Sequence, residues 1–513
     1  MNILFVLYGD LSRNTAGPIS LFARHLKILG HECTIAVPDH AEFSYAHKNE
    51  SYSVALFSEI LEKKGLIFSN NKRADIVHAC TPRISVYQFV CQYMNIVPTP
   101  IAIYLEDNEN WISKKALNAC EESLLELSNK NILDNISTDI SHPFEYKNFI
   151  GLCDLAILIQ KKLATTVPFF VPHLTVPWGV DLTFFKSNPE NIFLQKKILN
   201  ISPKVKVIVY HGGINDFTKP AIQDLCNAVL KINELGEECI LVKTGPGKIA
   251  SISSNNQFPQ SHFRDLGNVA RDELPKILNI ADIFVQPGRI NAFEDLRLPS
   301  KLPEFLAMGK PTVLPNCNIA DIFHDGEDAL LLQSGDPDEI AQCCLRVFQD
   351  PTLSKKLGIG ARFKAETFFD IEKQTKNLLS AYKDTISQFD FNSSKTIWEK
   401  AIQNGTQYAL NSRLEILISR MPSLGREILS FALEQNNCDQ KRIVALGNRI
   451  DSFIKHTARI EEEMTKLQSM TNLQDRNLKS LNAAVEALHN SRSWKITLPL
   501  RWLSDLHRKI KQS

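Results

Sequence analysis

The sequence lacks a Cys-x-x-Cys pair, a full G-x-G-x-x-G fingerprint and any run of about 18 apolar residues, and each absence removes a class of function. Its 11 cysteines are scattered singly apart from adjacent Cys343 and Cys344. They fit a reducing, cytosolic compartment better than a zinc site or a disulfide framework. Without the glycine fingerprint a dinucleotide dehydrogenase is disfavoured. Without a long apolar run a spanning helix is not expected, so any membrane contact is peripheral. The opening "MNILFVLYGD" has no basic leader and soon meets Asp10, and reads as a first buried strand rather than a signal peptide. Charge of one sign is missing too: 58 basic against 57 acidic side chains leave no global field to draw in nucleic acid, and none is expected as a partner.

What is present is ordinary for a large globular chain: 513 residues, 44% hydrophobic and 22% charged. Apolar runs alternate with helical patterns. "NILFVLY", "ECTIAVP", "ADIVHAC", "PIAIYLED" and "CDLAILI" come first; after "VPWGVD", "KVIVYHGG", "ECILVKTG", "ADIFVQPG", "PTVLP" and "ALLLQSG" follow. Continuous apolar strands between helices are the pattern of parallel sheets covered on both faces. The fold class is therefore α/β, with two Rossmann-like doubly wound domains at residues 1–185 and 186–385. Residues 386–442 read as a helical linker region. Heptad positions from Ile443 to Leu488, broken at Thr457, Thr471 and Gln474, predict a coiled coil over 443–490 that would bind a second copy or a partner transferase. The same stripe also suits an amphipathic helix packed on the protein body. Residues 491–513 mix Trp494, Trp502 and leucines with Arg and Lys, which suits an anionic membrane surface or, alternatively, a docked terminal helix.

Ligands of open parallel sheets bind beyond the carboxyl ends of the strands, so residues at those ends are the candidates. The first strand leads to Gly17 and Pro18, a helix start able to admit an anion. "VYHGGINDFTKP" places Gly212 and Gly213 after a strand with Lys219 following, a pairing of open backbone and compact cation suited to phosphate; a plain surface lysine before Pro220 has the same spelling. "VKTGPG" ends another strand at Thr244 and Gly245. "IAIYLEDNENW" ends a first-domain strand at Glu106, Asp107 and Glu109, either functional carboxylates or a solvated turn. The Asp-x-Asp of Asp336 and Asp338 precedes a helical stretch and reads as a helix cap, so no catalytic metal is expected.

The order of these segments, with "RLPSKLPEFLAMGKPTVLP" as the best motif, resembles the nucleotide-sugar-dependent glycosyltransferases of family 4, over roughly residues 1–385. The resemblance implies a GT-B fold and a nucleotide-diphosphate sugar as donor substrate, with no further cofactor. It implies that Glu304 accepts from the ribose hydroxyls, that Ser300 and Lys301 face the diphosphate, and that Asn268 and Val269 hold the base. The family's Arg-x4-Lys pair is incomplete, because Ile214 stands where the arginine would be; Arg297 or Lys301 replaces that cation, unless Arg297 pairs with Glu294 or Asp295. Leu296 stands where the usual E-x7-E has its first glutamate. Asp107, with Glu106 or Glu109 as substitutes, is the candidate for orienting the acceptor hydroxyl, and Lys219 and Arg297 for assisting departure of the phosphate. The expected reaction is metal-independent transfer with retention to a glycan, lipid-linked like the acceptors of O-antigen and other lipopolysaccharide-assembly enzymes, on the inner face of the cytoplasmic membrane. The competing readings are a nucleotide-sugar 2-epimerase of the same architecture and a noncatalytic scaffold.

Overall fold

The computed structural model describes residues 1–39, 50–120, 136–168, 170–252, 258–406, 409–410 and 412–413. The coiled-coil and tail expectations, and most of the helical linker region, lie outside the described residues. The chain divides into one unit of Met1–Val167 with His173–Phe391, and a second of Pro168–Pro172 with Asn392–Ser513.

In the first unit, the apolar runs form strands as their composition predicts. One sheet contains β1 (Asn2–Val6), β2 (Glu32–Val37), β3 (Ser53–Leu56), β4 (Ile76–Cys80), β5 (Ile101–Leu105), β6 (Leu155–Leu158) and β7 (His173–Thr175). Their order is β3-β2-β1-β4-β5-β6-β7, and every pairing is parallel. The other contains β8 (Lys206–His211), β9 (Cys239–Thr244), β10 (Phe263–Asp265), β11 (Ile283–Val285), β12 (Thr312–Pro315) and β13 (Leu330–Leu332), in the order β10-β9-β8-β11-β12-β13, again parallel. Each sheet reverses its winding beside its first strand, between β1 and β4 and between β8 and β11. That reversal opens a crevice at the carboxyl ends of the strands, which fixes where a ligand can enter.

Ile3, Leu4, Phe5 and Val6 of β1, and Val207, Ile208 and Val209 of β8, are fully buried, as strands covered on both faces must be. The helix Lys219–Glu234 lays Ile222, Leu225, Cys226, Val229 and Ile232 on the second sheet. The helix Pro337–Gln349 starts sharply because the Asp336 carboxylate accepts from the Glu339 amide at 2.9 Å and Pro337 supplies a preset first turn. Asp338 of the same Asp-x-Asp pairs with Lys231. Both carboxylates thus serve the helix start and an ion pair.

The chain returns to the first sheet after completing the second. Val180 bridges Asp370, and the Gly179 backbone lies so close to Ile371 that a Cβ there would stand 2.6 Å from the Ile371 Cα. The following helix, Ile371–Ser387, packs on the helix Ala16–Ile28. Its Tyr382 is fully buried, with the hydroxyl 2.5 Å from His78 Nδ1 in β4. Burial holds His78 neutral, down to about 3. In the second unit, the helix Phe391–Asn404 buries Ile397, Trp398 and Ala401 along one stripe. No helix among the described residues is long and apolar enough to cross a membrane.

Because His78 Nε2 already lacks a partner, Tyr382→Phe, which strips Nδ1 as well, is expected to cost about 1–3 kcal/mol, and Tyr382→Ala about 3–5 kcal/mol through the added cavity. Urea unfolding monitored by circular dichroism measures both.

Candidate functional site

The floor of the crevice in the second sheet is built where β8 meets β11. Lys301, just before the short helix Leu302–Ala307, is only 8% exposed. Its ammonium lies 3.1 Å from the Tyr210 hydroxyl and 4.6 Å from the centre of that ring. A Cβ on Gly212 would stand 2.8 Å from Lys301 Cε, so a side chain there would push the ammonium from the place it occupies at the strand end. The neighbouring loop is held from below by Lys243, whose buried ammonium donates to the carbonyls of Gly245, Pro246 and Gly247 at 2.7, 3.2 and 2.5 Å. Gly245 has a φ of +95°, and its backbone lies directly on that of Gly212.

One turn beyond Lys301, Glu304 is 9% exposed. Its Oε1 accepts from Arg271 Nη1 at 2.7 Å, and its Oε2 lies 3.8 Å from His211 Nε2. Burial raises the Glu304 pKa, and the Arg271 guanidinium opposes the rise. The His211 ring reaches back to Thr244, with Nδ1 2.7 Å from the buried hydroxyl. Burial, aided by Lys301, Arg271 and Lys243, pushes His211 down to about 4, so its contact with Glu304 is not that of an imidazolium.

The loop after β11 forms the outer wall. Arg297 lies over the Phe293 ring at 5.1 Å and pairs with Glu294 at 3.3 Å. Glu294 Oε2 is buried without a partner, and burial raises its pKa against the pull of Arg297 and Lys301. This loop meets the first sheet. Asn108 Nδ2 donates to the Ala292 carbonyl at 3.1 Å, Gln160 donates to the Asp295 carbonyl at 2.9 Å, and Lys162 pairs with the Asp295 carboxylate at 2.5 Å. Trp111 stacks on Phe293 with centroids 4.4 Å apart, and Phe217 completes the aromatic group.

Opposite stands a buried acidic cluster at the end of β5. Glu106 is 5% exposed; its Oε2 accepts from the Thr15 hydroxyl at 2.7 Å while its Oε1 has no partner. Burial pushes this carboxyl up to about 8; the Thr15 hydrogen bond and Arg83 pull it down, Asp107 and Glu109 push it up. Glu109 is equally buried, accepts from Ser141 at 2.7 Å and pairs with Arg83 at 3.2 Å. Asp107 is half-buried between them, close enough for its charge to raise Glu294 across the crevice.

Of the residues singled out in the sequence, Gly212, Gly213, Thr244, Gly245, Lys301 and Glu304 thus gather on the second sheet, with Arg297 beside them and Asp107 facing them. Lys219 begins its helix after β8 with an exposed side chain, apart from the buried cluster. Asn268 and Ser300 are exposed and Val269 half-buried at loops of the same edge. Gly17 is the second residue of its helix, and a Cβ there would meet nothing within 4 Å, so no close approach requires glycine. Arg297 pairs with Glu294, as one of its two readings held. Sequence reasoning passed over His211, Lys243 and Arg271. Their only signal was position, each polar and at or just after a strand end.

Residues 205–350 match the family model described as glycosyl transferases group 1. No curated protein matches the chain. Among solved structures, HepE of Anabaena in complex with UDP and glucose is similar at 13% identity and a TM-score of 0.56, covering 76% of this chain and 100% of that one. A glycosyltransferase from Rickettsia africae is similar at 15% identity and 0.55, covering 76% and 99%. WaaG, described as a glycosyltransferase involved in lipopolysaccharide biosynthesis, is similar at 11% identity and 0.54, covering 74% and 99%. At such identities the likeness is one of fold, and the fold is the two-domain GT-B arrangement.

Glu106 binds its proton more tightly folded than unfolded, so the native state holds the extra proton between about pH 4.5 and 8. Folding stability is therefore expected to fall as pH rises through that window, by up to about 1.4 kcal/mol per pH unit from this group. Glu106→Gln, which cannot ionise, is expected to flatten the slope measured by urea unfolding at pH 5, 6, 7 and 8.

Proposed function

We propose, from the premise that the chain is a group 1 glycosyltransferase of the GT-B fold, that it transfers a sugar from a nucleoside diphosphate sugar to a glycan acceptor, with retention and without a metal. The observation that carries this reading is the placement of Lys301 and Glu304, buried one turn apart at the carboxyl ends of the second sheet. An ammonium with room made for it by Gly212 suits a diphosphate. A buried carboxylate beside it suits ribose hydroxyls. HepE, of similar fold, was solved with UDP and glucose, a pairing that supports the same donor chemistry here.

Breaking the bond from the sugar carbon to the phosphate builds negative charge on the leaving oxygen and positive charge on the ring. Lys301 supplies fixed positive charge to the first; Arg297, paired with Glu294, and the exposed Lys219 would have to turn toward the phosphate to add theirs. Asp107, on the opposing wall, orients the acceptor hydroxyl, and the departing phosphate takes its proton on the same face of the sugar. The contacts of Asn108, Gln160, Lys162 and Trp111 with the 291–297 loop hold the two sheets over the reacting groups and keep water out. The acceptor is read as lipid-linked, in keeping with the lipopolysaccharide role stated for WaaG and the basic tail at 491–513.

Purified full-length protein is expected to release nucleoside diphosphate from one member of a nucleotide-sugar panel when given an acceptor, with the anomeric configuration retained by proton NMR. Lys301→Met is expected to lower kcat by about 100-fold, and Glu304→Ala to weaken nucleotide binding by about tenfold or more, both with unchanged circular dichroism. Full turnover in Lys301→Met overturns the assignment of the diphosphate site. Epimerisation of the free donor with no acceptor product would replace transfer altogether.

A further inference from the structure

His211 ends β8 beside Lys301 and Glu304, and the diphosphate site proposed above does not use it. Its two ring nitrogens face different partners. Nδ1 is 2.7 Å from the hydroxyl of Thr244, a side chain with no exposure, while Nε2 is 3.8 Å from Glu304 Oε2. The second distance is too long for a hydrogen bond. It is short enough for one oxygen lying off the line between the two atoms to touch both.

The state of each side decides what that oxygen can be. The imidazole is neutral, so one nitrogen carries a proton and the other does not. Glu304 Oε1 accepts from Arg271, a cation that does not deprotonate, and this favours a carboxylate with acceptor capacity left on Oε2. A carboxylate facing Nε2 in turn favours the tautomer with its proton there, and the Thr244 hydroxyl then donates to Nδ1. The gap has a donor on one side and an acceptor on the other. A phosphate oxygen or an ether oxygen can take only the donor; a hydroxyl satisfies both.

We infer that His211, oriented by Thr244, forms with Glu304 a two-sided clamp on one ribose hydroxyl of the nucleotide, making the site selective for the ribonucleotide over the form lacking that hydroxyl. The clamp rests on the donor site proposed above. It adds to Glu304 a specificity residue on a different strand. A deoxynucleotide covers an N-H and a carboxylate oxygen that face each other too far apart to pair, which is why the loss is selective.

The test is isothermal titration of the full-length protein with uridine, guanosine, adenosine and cytidine diphosphates, then with the 2′-deoxy and 3′-deoxy forms of the tightest. The wild type is expected to bind one of those deoxy forms about tenfold or more weakly. His211→Phe is expected to weaken the ribonucleotide by about five- to tenfold while changing that deoxy form by less than about twofold. His211→Gln, whose amide can donate from nearly the position of Nε2, is expected to recover part of the discrimination. Thr244→Val should behave like His211→Phe, and Thr244→Ser like the wild type. Equal weakening of ribo and deoxy forms in His211→Phe, or no discrimination by the wild type, overturns the clamp and leaves the donor site standing. Failure of the folded wild type to bind any of the four diphosphates overturns the donor site and the clamp with it.

Discussion

The Lys301 ammonium, buried against Tyr210 and over Gly212, is the charge around which the rest of the second domain is arranged. An ammonium taken out of water is costly unless its field is answered nearby. The tyrosine hydroxyl and ring answer part of it, and Glu294 and Glu304 contribute opposite charge at longer range. Yet Arg271 occupies one oxygen of Glu304 and Arg297 pairs with Glu294, while Lys243 is spent on backbone carbonyls. Each buried carboxylate is matched by an arginine of its own, so Lys301 is left without an ion-pair partner within contact distance among the described residues. An anion entering at Gly212 would supply what the protein withholds.

That arrangement depends on the parallel sheet below it. Strands buried on both faces leave polar side chains few places to go but the ends, and the reversal between β8 and β11 parts the loops there. The first sheet does the same between β1 and β4 but presents carboxylates: Glu106 and Glu109 buried, Asp107 half-buried. A crevice with cations on one wall and carboxylates on the other matches, on the proposed reading, a reaction whose leaving group gains negative charge as the sugar gains positive charge. The contacts around Asp295 and Phe293 keep the walls in register, and the return of the chain through Ile371–Ser387 ties that helix to the first sheet.

The fold was legible because burial on both faces forces an unbroken apolar run, and each such run in the sequence became a strand. β3, β7 and β10 were not, since short sheet-end strands such as "SVAL", "HLT" and "FRD" have no such run to announce them. Glu304 and Lys301 were singled out through the resemblance of their motif, and the structure buries both at the strand ends. His211, Lys243 and Arg271 were not, because a lone polar residue at a strand end has the same spelling whether it turns to solvent or under a loop. Lys243 illustrates the point: it follows the apolar run Ile240–Val242, and only the curl of Gly245–Gly247 gives its ammonium three carbonyls. Gly17 has open space where a Cβ would stand, so no protein neighbour explains a glycine there.

The acidic wall divides its work by burial. Glu106 lies too deep, and its carboxyl holds its proton too firmly, to serve as an ionised acceptor near neutral pH; its Oε2 instead fixes Thr15, and through it the loop that joins β1 to the helix Ala16–Ile28. A protonated Glu106 spares its neighbour a second negative charge in the same pocket. Asp107, one residue on and half-buried, is the carboxylate whose charge reaches Glu294 across the crevice. The raised pKa of Glu106 therefore leaves the wall at the end of β5 with less negative charge near neutral pH than its three acids would carry if all were ionised.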